Sequence, residues 1–271
     1  MRRKYLLILV SGICVAGLAV ALLLALYHPS GLLFVNEIPN VHDGDTIYYQ
    51  QHSFCRPTRG VRLLGIDTPE LKDPEGKDAQ EDLQSIVSEC GGRLWIDAPL
   101  EVQNDPHCRL IAILFVHQHD QVSVNEQLVA DGWAHIYKMQ DSSDQLKNFE
   151  QRLLKAQVEA AINRRGRWAE GGDVAIAAIQ YWTDPEQVVL VNRGEESVSV
   201  EDWYLLDPEP ECSGLFRLGD VLDLPMIPPK TAVSFTTMKQ WKDEGDSAEL
   251  YDHDPHKGGE PLDVYEYKGF D

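Results

Sequence analysis

The chain has 271 residues, enough for two domains at roughly 150 residues each, and its 43% hydrophobic and 25% charged residues exclude wholesale disorder and collagen-like structure. Acidic residues outnumber basic ones 44 to 24, a net charge of −20, which argues against holding nucleic acid through a broad basic surface. Any phosphate chemistry must therefore rest on a few placed arginines or on a metal, and five cysteines without a CxxC pair build neither a disulfide scaffold nor a zinc site.

Residues 5–27 carry no charge and follow Arg2, Arg3 and Lys4. As a helix they would measure about 34 Å, enough to cross a bilayer. The basic flank at residues 1–4 would stay in the cytoplasm and everything beyond the span would lie outside. A cleaved signal peptide is the alternative, against which stand the length of the run and the poor cleavage site Ala25-Leu26-Tyr27. The expected location is thus the cell membrane, single-pass, with extracytoplasmic domains, or secreted if the segment is cleaved.

Residues 28–36 read as a linker. Short β-rich runs follow at 41–50, 61–67, 93–97 and 109–116. Leu83, Ile86 and Val87 share one helical face, and Val124, Leu128 and Val129 mark a short helix that Gly132 can end. Ser142 and Gln145 have capping-box spacing ahead of an apolar stripe of Leu146, Phe149, Leu153, Ala156 and Ala160, with Gly166 as the stop. Strands first and helices later predict an α+β domain built round a small barrel, over residues 37–170. Gly171-Gly172 is a plausible boundary. Beyond it, runs at 188–192, 197–206, 231–236 and 263–267 between Pro, Gly and Asp turns predict an all-β sandwich over 175–271. Charge divides unevenly: residues 35–170 hold 14 basic and 22 acidic residues, and residues 171–271 hold 7 and 22.

Three stretches carry chemistry. They are His42-Asp43-Gly44-Asp45-Thr46, then Arg62 through Ile66-Asp67-Thr68-Pro69-Glu70, and Arg109 opening an apolar run. Singly each is ordinary, since Asp-Gly starts many turns and an arginine opening a strand is usually a surface residue. Together, Asp45, Asp67 and Glu70 are three carboxylates at strand ends that a barrel would gather. Gathered carboxylates need a cation, and oxygen ligands select a hard one such as Ca²⁺ or Mg²⁺. Two arginines beside them form a fork for a phosphate. These are the parts of a phosphodiester hydrolase.

The segments VHDGDTIYY, VRLLGIDTPE, CRLIAILFV, VNEQLVADGWA and a final helix ending GRW resemble the thermonuclease, or staphylococcal nuclease-like, family in motif order over residues 37–170. The resemblance implies an OB-fold barrel of five strands with three helices. It implies Ca²⁺ held by the Asp45 and Asp67 carboxylates and the Thr68 carbonyl, with Asp43 acting through water. It gives Glu70 the attacking water, Arg62 and Arg109 the phosphate, and Tyr137 a nucleotide contact. It implies cleavage of DNA or RNA at the P–O5′ bond, leaving 3′-phosphates. The rival from another class is a non-catalytic surface scaffold that only binds nucleic acid, as some relatives do.

The tail segments VVLVNRGEESVSVEDWYLLDPE, IPPKTAVSFTT, WKDEGDSAELYDHD and DVYEY resemble the lamin-tail family of immunoglobulin-like β-sandwiches. That implies a docking or spacer module for a partner the sequence does not name, with Trp203 as a buried tryptophan. Asp252, Asp254 and Glu260 read as a solvated acidic face or a cation site. A single disulfide among Cys55, Cys90 and Cys108 is open, as are unpaired thiols.

Overall fold

The computed structural model describes residues 32–37, 39–50, 58–99, 104–139, 143–208, 214–238, 241 and 245–268. The apolar run at 5–27 lies outside them. Among the described residues no helix is long and apolar enough to cross a membrane.

The first half is a six-stranded sheet. Its strands are β1 (Leu32–Asn36), β2 (Asn40–Val41), β3 (Thr46–Gln50), β4 (Thr58–Leu63), β6 (Arg93–Asp97) and β7 (Leu110–Phe115), in the order β1-β6-β7-β4-β3-β2. Strand β5 (Ile66–Asp67) pairs instead with β8 (His135–Ile136). The β4–β7 pairing is parallel, and Arg62 stands opposite Ile111 in it. The edge strands β1 and β2 are consecutive in the chain, linked through residues 37–39. A flat six-stranded sheet would set its edges about 24 Å apart. Four residues of extended chain reach only about 14 Å. The sheet therefore curls until its edges approach, but its two edge strands do not pair with each other. The expectation was an OB-fold barrel of five strands; among the described residues the sheet has six strands and no closed barrel is formed. The linker reading of residues 32–36 is corrected too: they form β1, paired over its whole length with β6.

Three helices accompany this sheet. Helix α1 (Gly76–Glu89) buries Ala79, Leu83, Ile86 and Val87 on one face. In α2 (Val124–Ala130) the Ser123 and Glu126 side chains cap each other's backbone N–H, satisfying two donors that the first helical turn leaves over. Buried Asn125 ties α2 to the sheet. Its Nδ2 donates to the Leu64 carbonyl at 2.9 Å and its Oδ1 accepts from the Leu114 N–H at 3.0 Å. Helix α3 (Asp144–Ile162) starts one residue later than its spacing predicted. Ser143 is the cap, accepting from the Leu146 N–H, and Ser142 lies outside the described residues. The helix ends at Asn163, and Gly166 opens a short 3₁₀ turn, Gly166–Trp168, packed on Gly132.

The second half is all-β apart from short turns of helix. Strands β9 (Val174–Gln180), β10 (Glu186–Asn192) and β15 (Thr231–Thr237) form one sheet. Strands β12 (Tyr204–Leu206), β13 (Leu215–Arg217), β16 (Gly245–Tyr251) and β17 (Asp263–Lys268) form another. Strands β11 (Val198–Ser199) and β14 (Met226–Ile227) pair separately, so the 197–206 run is two strands broken by a turn. Sequence reading missed β9, whose seven residues are all buried. Both α3 and β17 pack against it. A strand covered on both faces loses the polar alternation by which strands are recognised. Trp203 is only partly buried, and the fully enclosed tryptophan is Trp241. The buried apolar residues of the two halves form one contiguous core.

Candidate active site

Asp45 sits where the turn after Val41 enters β3, and it is 2% exposed. A buried carboxylate is costly unless its oxygens are paired. Here Oδ2 accepts from the Thr68 N–H at 3.0 Å and from the Thr68 hydroxyl at 3.1 Å. Oδ1 accepts from the Thr46 hydroxyl at 3.0 Å and pairs with the Arg62 guanidinium. Asp43 supports the turn by accepting from the Asp45 N–H at 3.2 Å. Gly44 is required between them, because a Cβ there would meet Ala79 Cβ and Thr68 Oγ1 at 2.7 Å.

Arg62 lies near the end of β4, opposite Thr46 on β3. Its Nη2 donates to Asp67 Oδ1 at 2.6 Å while Nη1 engages Asp45. One guanidinium thus bridges the two carboxylates that the sequence assigned to metal. Arg109 comes to the same place from the start of β7. Its Nη1 donates to the Thr46 hydroxyl at 3.2 Å, and its backbone N–H and Nε both donate to Asp105.

Glu70 follows Pro69 in a tight turn. Its carbonyl accepts from the Asp73 N–H at 2.7 Å, and a Cβ at Gly76 would overlap that same carbonyl at 1.9 Å. The N-terminus of α1 is therefore seated directly on the Glu70 turn, while the Glu70 side chain is exposed. Tyr137 follows β8, and its N–H donates to the Gly65 carbonyl at 2.8 Å.

Asp43, Asp45, Arg62, Asp67, Thr68, Glu70, Arg109 and Tyr137 all line one cleft of about 620 Å³. Its wall also includes Asp105, His107 and Lys138. Among the described residues five carboxylates thus face three lysine or arginine cations. Three carboxylates do not converge on one point, however. Among the described residues no group of three or more His, Cys, Asp or Glu side chains is placed to share a metal. The expected gathering of Asp45, Asp67 and Glu70 is not seen among the described residues: Arg62 holds Asp45 and Asp67 as a pair, and the Glu70 side chain is exposed. The pair fits a hard cation chemically, being all oxygen, if carbonyl and water oxygens complete the six to eight ligands that Ca²⁺ takes.

Asp105 escaped the sequence reading, and Thr46 entered it only as part of the DGDT motif, without a role of its own. The available signal was an acid four residues before Arg109, in a Pro-containing turn. Cys90 and Cys108 are both free thiols, so they do not bridge each other, and Cys55 lies outside the described residues.

Residues 60–170 match the family model described as Staphylococcal nuclease homologue. No curated protein matches the chain. The matched span contains Arg62, Asp67, Thr68, Glu70, Arg109 and Tyr137. Asp43 and Asp45 precede it, and Asp45 joins it through Arg62 and Thr68.

Proposed function

We propose that the protein hydrolyses phosphodiester bonds of DNA or RNA in this cleft, with Ca²⁺ as cofactor. The staphylococcal nuclease-like domain supports a nuclease-type function. The observation that carries the fuller reading is that Arg62 bridges buried Asp45 and half-buried Asp67 while Arg109 reaches Thr46, whose hydroxyl also donates to Asp45.

In this reading Arg62 and Arg109 bind the non-bridging oxygens of the scissile phosphate. Charge on those oxygens grows toward the transition state, so two fixed guanidiniums stabilise it more than the ground state. Glu70, exposed at the rim, orients the attacking water and takes its proton. The Asp45 and Asp67 carboxylates and the Thr68 carbonyl hold the cation, and Asp43 acts on it through water. When bound, Ca²⁺ supplies Lewis-acid stabilisation of the phosphoryl oxygens. The excess of carboxylates in the cleft makes a divalent ion electrostatically useful, because a polyanion would otherwise be repelled. In this reading Tyr137, in the cleft wall, contacts the nucleotide by stacking on a base. The products are 3′-phosphates.

The reading also includes residues 5–27 as a membrane anchor that holds the cleft outside the cell, and a lamin-tail-like module at 175–271 that docks a partner. Their support is the uncharged run behind three basic residues and the order of strand motifs.

The test uses residues 28–271 on single-stranded DNA and RNA, with Ca²⁺ or with a chelator. Cleavage that needs Ca²⁺ and falls by about 10²–10³ in Glu70→Gln and Arg109→Ala is the expected result. Binding without cleavage by folded protein would replace the hydrolase with a scaffold. Cleavage surviving both substitutions would move the site elsewhere. Partition of the full chain into detergent, against that of residues 28–271, tests the anchor.

A further inference from the structure

The ladder that carries Asp67 is short. Strand β5 pairs with β8 over two positions, Ile66 with Ile136 and Asp67 with His135. Two residue pairs are marginal without outside support. That support comes from α3 and, behind it, from the second half of the chain. The Ile136 N–H donates to Gln157 Oε1 at 2.6 Å. The Gln157 Nε2 donates to the Ala177 carbonyl on β9 at 2.6 Å and to the Tyr265 hydroxyl on β17 at 3.4 Å. That hydroxyl lies 3.3 Å from His135 Nδ1. All three side chains are buried.

Donor arithmetic orders this chain of bonds. A hydroxyl that accepts from an amide N–H still has its own proton to give, and Nδ1 of His135 accepts it in the tautomer protonated at Nε2, a nitrogen buried without a hydrogen-bond partner. The imidazole is then neutral. Burial, aided by Arg167, also pushes its pKa well below the ordinary histidine value. The histidine ring packs between Tyr265 and Trp168, each with its centroid 5.4 Å away.

We propose that the C-terminal module is a working part of the cleft: Tyr265 is a positioning residue that, through His135 and Gln157, fixes β8 against β5 and so sets Asp67 against Arg62. The kinetic consequence rests on the nuclease reading. The mechanical one does not. Removing the hydroxyl while keeping the ring leaves a buried amide N–H and a buried imidazole nitrogen without their partner.

The test is amide hydrogen exchange and cleavage kinetics on the full-length chain, wild type against Tyr265→Phe. The expected result is exchange about five- to tenfold faster at Ile136 and Tyr137, unchanged exchange in β10, and a similar fall in kcat at constant KM. His135→Asn offers an oxygen near the Nδ1 position and is expected to keep slow exchange, whereas His135→Ala is not. Wild-type exchange at Ile136 and Tyr137 in Tyr265→Phe would overturn the proposal. So would a uniform rise that includes β10, which would mark a general loss of stability. If the wild type cleaves nothing, the nuclease reading fails, and the exchange rates alone decide the positioning role.

Discussion

Asp105 holds Arg109 at two points: one carboxylate oxygen accepts from the arginine backbone N–H at 2.7 Å, the other from its Nε. The first bond closes the turn that starts β7, and the second aims the guanidinium toward Thr46. Asp105→Asn keeps an oxygen for the backbone bond but loses the ion pair, while Asp105→Ala loses both. Each is expected to lower kcat about tenfold, less than Arg109→Ala, because Arg109 keeps its charge but not its aim. If the asparagine variant matches the wild type in single-turnover cleavage, the ion pair does not position Arg109.

Arg62 bridges two carboxylates with two different nitrogens. Lysine would keep the charge but present one nitrogen where the fork presents two. Arg62→Lys should therefore behave like a deletion in kcat, with a loss of about 10²–10³, while retaining more stability than Arg62→Ala. Alanine would leave buried Asp45 without its counter-charge, a defect that commonly costs about 3–5 kcal/mol. Urea midpoints and turnover measured on both variants separate the two roles.

Gly44 packs its Cα against Ala79 and Thr68, leaving no space for a methyl group. The crowded Thr68 hydroxyl is itself a donor to Asp45, so any shift is passed to the carboxylate. Gly44→Ala should cost about 1–3 kcal/mol by overpacking and weaken Ca²⁺ binding together. Calorimetric titration with Ca²⁺ and a denaturation curve check both. Unchanged Ca²⁺ affinity in a destabilised variant would separate the turn from the metal.

The grouping of the chosen residues was legible in the sequence more fully than the scaffold. All eight chosen site residues line one cleft, since DGDT and IDTPE are turn sequences that fix their own local geometry. Elements set by distant contacts were read less well. Residues 32–36 looked like a linker until β6 was there to pair with, and β9 hides its identity by being buried throughout. Asp105 and Glu70 mark the limit at the site itself. A spacing of four residues does not reveal that Asp105 turns back onto Arg109, nor does the IDTPE motif show that Gly76 packs directly against the Glu70 carbonyl.

Asp82 on α1 gives a signed pH prediction. Burial, and then the like charge of Asp131, raises its pKa to about 6 from an ordinary 3.8. Its Oδ2 is buried without a hydrogen-bond partner. The folded state therefore binds a proton that the unfolded state has already released between these two values. Stability contributed by protonated Asp82 is complete below about pH 4 and is lost as pH rises through about 6. Asp82→Asn should show a flatter stability profile over that window and be more stable than the wild type at pH 7. Parallel profiles in urea melts from pH 4 to 7.5 would rule out Asp82 as the cause.

Helix α3 serves both halves of the chain. Its Arg152 donates to Glu126 on α2 at 2.7 Å, while its Glu150 accepts from Gln180 at 3.1 Å and from Trp182. Gln157 on the same helix reaches Ala177 on β9. A chain cut at residue 172 would keep the whole cleft but expose the side of α3 that β9, β10 and β15 now cover. Exposing buried apolar surface costs about 25 cal/mol per Å², so a few hundred Å² would remove several kcal/mol, a large share of the stability of a domain this size. Residues 32–172 should therefore unfold at lower denaturant and bind a hydrophobic dye that the longer chain does not. If the shorter chain melts cooperatively at the same midpoint as residues 32–271, α3 belongs to the first half alone, and the second half is a separable attachment.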